Sequence, residues 1–201
     1  MADKTKAGQP QKRMPLLALT LLSSLCVTEA LILLESSWAN ALPLHLCSLS
    51  ALAALGVALG ARGMALDFLW YLGMPGALLA LLFPAPAMSR WQTLLNASYV
   101  ATHALILLIP LRAMLRGDWP RRGRAADMMI LLQAVALLSF FVNRALGTDF
   151  LFLMAPPAGT PLIGVFRRGY WIYLLALQAM MLLLCLLMQE IRARLRWHER
   201  D

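Results

Sequence analysis

The residues best suited to chemistry in this chain lie where polar groups are costly to place. In "LPLHLC", His45 and Cys47 stand two residues apart at the head of an apolar run. Pro43 suits the first turn of a helix, with Asn40 as its cap, so Cys47 is expected about one turn in. The N-terminal end of a helix stabilises a thiolate, which makes Cys47 a candidate nucleophile. The competing reading is a small packing residue. Two residues turn a helix by about 200°, so His45 and Cys47 face different ways and a base for the thiol has to come from another helix.

His103 is that candidate base. With Asn96 and Tyr99 it forms an i, i+3, i+7 stripe that Gln92 extends, and lipid would penalise such a stripe unless it faced the bundle interior. A helix-to-helix hydrogen bond is the plainer role for His103. Glu29, if charged, costs roughly 2–3 kcal/mol at mid-bilayer. It is therefore expected to be protonated, paired with Arg144, or turned into the cavity that holds His103. Ser139 and Asn143 share a face of the fifth apolar segment, Thr148 and Asp149 come just after its end, and Gln178 offers a bond between helices. Placed on the apolar spans of the chain, His45, Cys47, Glu29, Asn143, Thr148 and Asp149 fall at similar depth in the outer half. His103 lies near the middle, and together they imply one cavity open to the outer leaflet.

The elements that position these groups are set by composition. Of 201 residues, 61% are hydrophobic and 14% charged, against about 45–50% and 25% in a soluble domain. Lipid has to cover the excess. The fold class is all-α, a polytopic transmembrane bundle with six spans at 14–34, 43–60, 68–83, 92–111, 125–144 and 169–189. The third carries Gly73, Pro75 and Gly76 at its centre and is expected to be kinked or broken there. A single membrane domain, 14–190, lies between basic tails at 1–13 and 191–201. The first apolar run has no clear cleavage site and reads as a retained helix.

Fourteen Lys and Arg fall in the tails and the loops that share their side, against four on the other side. Both termini are therefore expected in the cytoplasm. The +8 charge is accounted for in this way, and no aromatic-basic groove accompanies it, so no nucleic-acid partner is expected. Cys26, Cys47 and Cys185 are too few for a disulfide framework. A metal or haem site on His45, Cys47 and His103 is the weakest reading, because one His-x-Cys pair is not a ligand set, and no metal or cofactor is assigned. The segment 147–168, "GTDFLFLMAPPAGTPLIGVFRR", is apolar but broken by Pro and Gly, which suits a re-entrant or interfacial loop.

In order and spacing, "LPLHLCSLS", "YLGMPGALLALLFP", "NASYVATHALILLIPL" and "NRALGTDFLFLMAPP" followed by "YWIY" resemble the YwaF-type integral membrane family of bacteria. The likeness runs from position 42 to 189. Members commonly have seven spans, an asparagine where Asp149 stands, and prolines before the position of Tyr173. An animal relative of that family is regarded as a cysteine-dependent phospholipid acyltransferase. The resemblance implies Cys47 as acyl nucleophile and His103 as general base. His45, Asn143 and Thr148 would orient them or stabilise an oxyanion, and membrane phospholipids or lyso-phospholipids would be the substrates. Proton-coupled or small-molecule transport through Glu29 and His103 is the alternative.

Overall fold

The computed structural model describes residues 13–35, 38–84 and 89–195, so most of both basic tails lies outside the described residues. Among the described residues there are helices and turns and no strand. The main helices are α1 (Pro15–Glu35), α2 (Leu46–Leu59), α3 (Met64–Leu82), α4 (Gln92–Leu115), α5 (Ala125–Leu146) and α7 (Tyr170–Arg194). A short α6 (Leu162–Phe166) lies in the connection before α7. Five of these, α1, α3, α4, α5 and α7, are long and apolar enough to cross a membrane. The chain is an all-helical, multi-pass membrane protein.

α2 is the exception. Its 14 residues span about 21 Å, short of the roughly 30 Å of a hydrocarbon core. Its C-terminal end is fixed by Gly60, whose φ of 114° only glycine adopts freely. Ala61 N–H then closes back on the Gly56 carbonyl at 2.7 Å, a Schellman-type stop. Met14 N–H also donates to the Ala58 carbonyl at 2.7 Å, which levels this end of α2 with the start of α1. A short helix pinned at one end has to begin inside the bundle at the other.

That beginning departs from expectation. α2 starts at Leu46, not Pro43, and its cap position is His45, with extended angles (φ −71°, ψ 147°) and no side-chain cap bond. Proline holds the residue before it out of the helical region. Here Leu44 N–H turns back to the Leu42 carbonyl at 2.8 Å, which uses up the residues expected in the first turn. Asn40 sits in a 3₁₀ turn, Trp38–Ala41, and caps nothing. Cys47 is consequently the second residue of the helix.

The third span is irregular where Pro75 predicts it, but it is not broken. A π turn, Leu69–Gly73, precedes Pro75, and Met74 N–H reaches back five residues to the Leu69 carbonyl. Pro75 has no N–H to offer the Tyr71 carbonyl four residues earlier. That carbonyl instead accepts from the Cys185 thiol at 3.4 Å, which accounts for a cysteine buried in α7. Trp70 Nε1 adds a second α3–α7 link, to the Met188 carbonyl at 3.0 Å.

α1 to α4 pack as one group, while α5 and α7 pack on each other and on the π turn. A hydroxyl seam joins α1 to α4. Ser24 Oγ lies 2.7 Å from Thr102 Oγ1 and donates to the Ser98 carbonyl at 2.9 Å, and Thr28 Oγ1 donates to Ser98 Oγ at 3.0 Å. Such bonds replace hydrophobic driving force between helices in lipid. At the opposite end from the start of α2, fully buried Asp67 accepts from Arg121 N–H and Nε, both at 2.6 Å. Arg62 pairs with Asp118 at 2.9 Å, and Arg192 donates to the Pro120 carbonyl with its guanidinium 4.8 Å above Trp119. The basic loops are thereby tied together at one end.

α2 and α3 meet through glycines. A Cβ on Gly73 would lie 3.0 Å from Leu69 Cδ2 and 3.1 Å from Ser50 Oγ, and one on Gly76 would lie 3.0 Å from Leu46 Cδ2. Gly73→Val should therefore cost about 1–3 kcal/mol by overpacking, read as a lowered thermal midpoint in detergent. Gly76→Val should cost less, because only the end of Leu46 has to move.

Candidate active site

The two helix groups leave a cavity of about 410 Å³ between them, within the roughly 300–1,000 Å³ of small-molecule sites. His45, Cys47, Tyr99 and His103 all line it. The start of α2 supplies His45 and Cys47, the inner face of α4 supplies Tyr99 and His103, and the segment 151–162 closes over them. Leu46 packs on Gly76, which stands six residues before the end of α3. At 1.5 Å per residue, the start of α2 therefore lies about 9 Å inside the bundle.

The first N–H groups of any helix lack partners within it. At α2 the first helical bond is donated by Leu49 to the His45 carbonyl, at 3.1 Å. Cys47, the second residue of the helix, stands beside these N–H groups on the cavity wall. These are the groups a thiolate or a carbonyl oxyanion requires.

His103 is 3% exposed and its Nδ1 lies 2.7 Å from the Tyr99 carbonyl. A carbonyl only accepts, so Nδ1 carries the proton and the neutral ring keeps its lone pair on Nε2. That is the tautomer of a general base. Tyr99 also stacks on the imidazole, with ring centroids 4.1 Å apart, and its hydroxyl donates to the Ala80 carbonyl at 2.8 Å. Tyr99 thus holds the imidazole by its carbonyl and its ring, and is itself anchored to α3. The stripe expected on α4 narrows to these two residues, since Asn96 and Gln92 are not on the cavity wall.

The remaining expected residues shape the site from behind. Asn143 donates to the Phe150 carbonyl at 3.0 Å and accepts from Phe150 N–H at 2.8 Å and from Thr148 Oγ1 at 2.9 Å. Asp149 accepts from Met154 N–H at 2.8 Å and Ala155 N–H at 3.2 Å. Burial pushes the Asp149 carboxyl above the usual range, and those two donors pull it part of the way back. Leu151 and Phe152 between them have φ of 59° and 55°, a left-handed geometry that costs non-glycine residues on the order of 1–3 kcal/mol each. Tyr173, fully buried on α7, donates its hydroxyl to the Phe152 carbonyl. The His45 ring packs on Phe150 and Phe152, with centroids 5.0 and 5.9 Å away. Asn143, Thr148 and Asp149 thus fold the segment that covers the cavity and do not line it.

Glu29 is also off the wall. It makes no ion pair with Arg144, which is exposed, and its Oε2 is buried without a hydrogen-bond partner. Ser139 is fully buried beside Asn143 on α5 but does not reach the cavity, whereas Gln178 lines it and accepts from Gln133 across α5 and α7. Among the described residues no three His, Cys, Asp or Glu side chains are arranged to hold a metal ion. Tyr173 is a positioning residue that its type alone does not single out, although it ends the motif "YWIY".

Asn143→Ala leaves the Phe150 N–H and carbonyl unpaired, at about 1–3 kcal/mol per buried group. The thermal midpoint should fall and proteolytic nicking within 147–169 should rise. Asn143→Asp keeps both acceptor bonds, loses one donor, and should do less harm by both measures.

Residues 3–189 match the TMEM164 family, a family of transmembrane proteins. No curated protein and no solved structure is similar enough to match. With nearly its whole length covered, the chain belongs to the TMEM164 family.

Proposed function

We propose that the protein is a cysteine-dependent acyltransferase or transacylase that works on phospholipid acyl esters from the outer leaflet, as a bacterial plasma-membrane member of the YwaF type with both termini in the cytoplasm. The observation that supports this most is the convergence of Cys47, at an inset helix N-terminus, and a His103 held in the base-competent tautomer on one apolar cavity.

The steps balance as ordinary acyl transfer. His103 Nε2 takes the Cys47 proton as sulfur attacks the ester carbonyl carbon. The collapsing tetrahedral intermediate breaks the acyl C–O bond, and His103 returns the proton to the departing alkoxide. A lyso-lipid hydroxyl or water then attacks the thioester and gives its proton to His103. The C–S bond breaks, and the proton returns to Cys47. N–H groups at the start of α2 stabilise the oxyanion in this reading, an effect worth about 10²–10³ in rate for a single donor. Proton-coupled transport through Glu29 and His103 has less support, because Glu29 does not face the cavity.

The test is intact-protein mass spectrometry after incubation with a lipid-like ester probe. Wild type should gain one acyl group on Cys47, Cys47→Ala none, and His103→Ala should load at least about 10²-fold more slowly. Folded wild-type protein with an accessible Cys47 and no adduct would overturn the reading.

A further inference from the structure

Beyond Cys47 and His103 the cavity continues inward along apolar side chains. Ile106 stands one turn past His103 on α4, Leu132 and Ala136 one turn apart on α5, and Met181 on α7. Ile106, Leu132 and Met181 are each at most 9% exposed, and Ala136 is half-buried. Leu132 is fourteen residues from the end of α5 at Leu146, about 21 Å along the helix, against about 9 Å for the start of α2. The extension is thus deeper than the nucleophile and is walled by hydrocarbon. Gln178, the polar exception, has its side-chain oxygen turned to Gln133.

We infer that this apolar extension is an acyl-chain ruler, in which Ile106, Leu132, Ala136 and Met181 set the longest chain that Cys47 can accept. The inference rests on the acyl-transfer reading and gives it a substrate limit. A chain attached through its carbonyl at Cys47 runs inward along apolar walls while the headgroup stays toward the open end. Its terminal methyl stops where Leu132 and Met181 meet. Ala136 is the small residue on that path, one helical turn above Leu132 on the same face, so enlarging it shortens the space and trimming Met181 lengthens it.

The experiment loads the full chain in detergent micelles with octanoyl, dodecanoyl and hexadecanoyl p-nitrophenyl esters and monitors Cys47 adducts by intact mass. One methylene in a closed apolar pocket discriminates by about 10-fold or more. Ala136→Phe should therefore raise the octanoyl-to-hexadecanoyl loading ratio at least about tenfold over wild type. Met181→Ala should move the ratio the other way, which keeps the test sound if Ala136→Phe folds poorly. Loading of wild-type Cys47 with both variants retaining its chain preference would overturn the ruler and leave acyl transfer standing. No Cys47 adduct in wild type with any ester would overturn both.

Discussion

A helix that starts inside a membrane carries unpaired N–H groups into a medium without water to satisfy them. α2 is such a helix, because its far end is held at the level of Met14 and its 14 residues cannot reach across. Much of the surrounding structure accommodates that start. Gly73 and Gly76 let α3 approach closely enough to shield it. α4 places His103 across the same space, and the segment after α5 is folded over it. The polar end of α2 thus faces a shielded cavity in place of lipid, and Cys47 stands beside it.

The covering segment meets a second form of the same constraint. Irregular backbone at membrane depth persists only where protein satisfies it. Asn143 does this with one amide that bonds both backbone groups of Phe150, while Tyr173 and Asp149 hold the backbone from Phe152 to Ala155. Two consecutive left-handed residues are kept in place on the cavity wall, Phe152 against His45, a location where strained backbone is commonly found in functional sites. A single asparagine therefore links packing to the shape of the cavity without touching it.

The spans were legible in the sequence because lipid imposes long apolar runs, and five of the six emerge as full-length helices. The start of α2 was not, because its cap is set by the turn at Pro43 and by His45 packing on Phe150 and Phe152, more than a hundred positions away. Asp67 and Arg121 are separated by 54 positions and show no pattern that announces a pair. The role of Cys185 depends on a carbonyl that a distant proline leaves unbonded. Cys47, His103, Tyr99 and His45 stand out because polar residues are rare in such a chain, and the four line one cavity. Asn143, Thr148 and Asp149 signalled importance without its form, since a side chain that folds a loop and one that meets a ligand look alike before folding. Glu29, the most costly residue by type, lies outside the cavity.

Acyl transfer at this site requires Cys47 to be more reactive than an ordinary membrane cysteine, with His103 responsible for the difference. Cys26, exposed on α1, provides the internal reference. The decisive measurement is the rate at which a membrane-partitioning thiol reagent alkylates each cysteine, in wild type and in His103→Gln. Alkylation of Cys47 faster than Cys26, with the advantage lost in His103→Gln while Cys26 is unchanged, is the predicted result. A Cys47 rate no faster than that of Cys26, or indifferent to His103, would contradict the account.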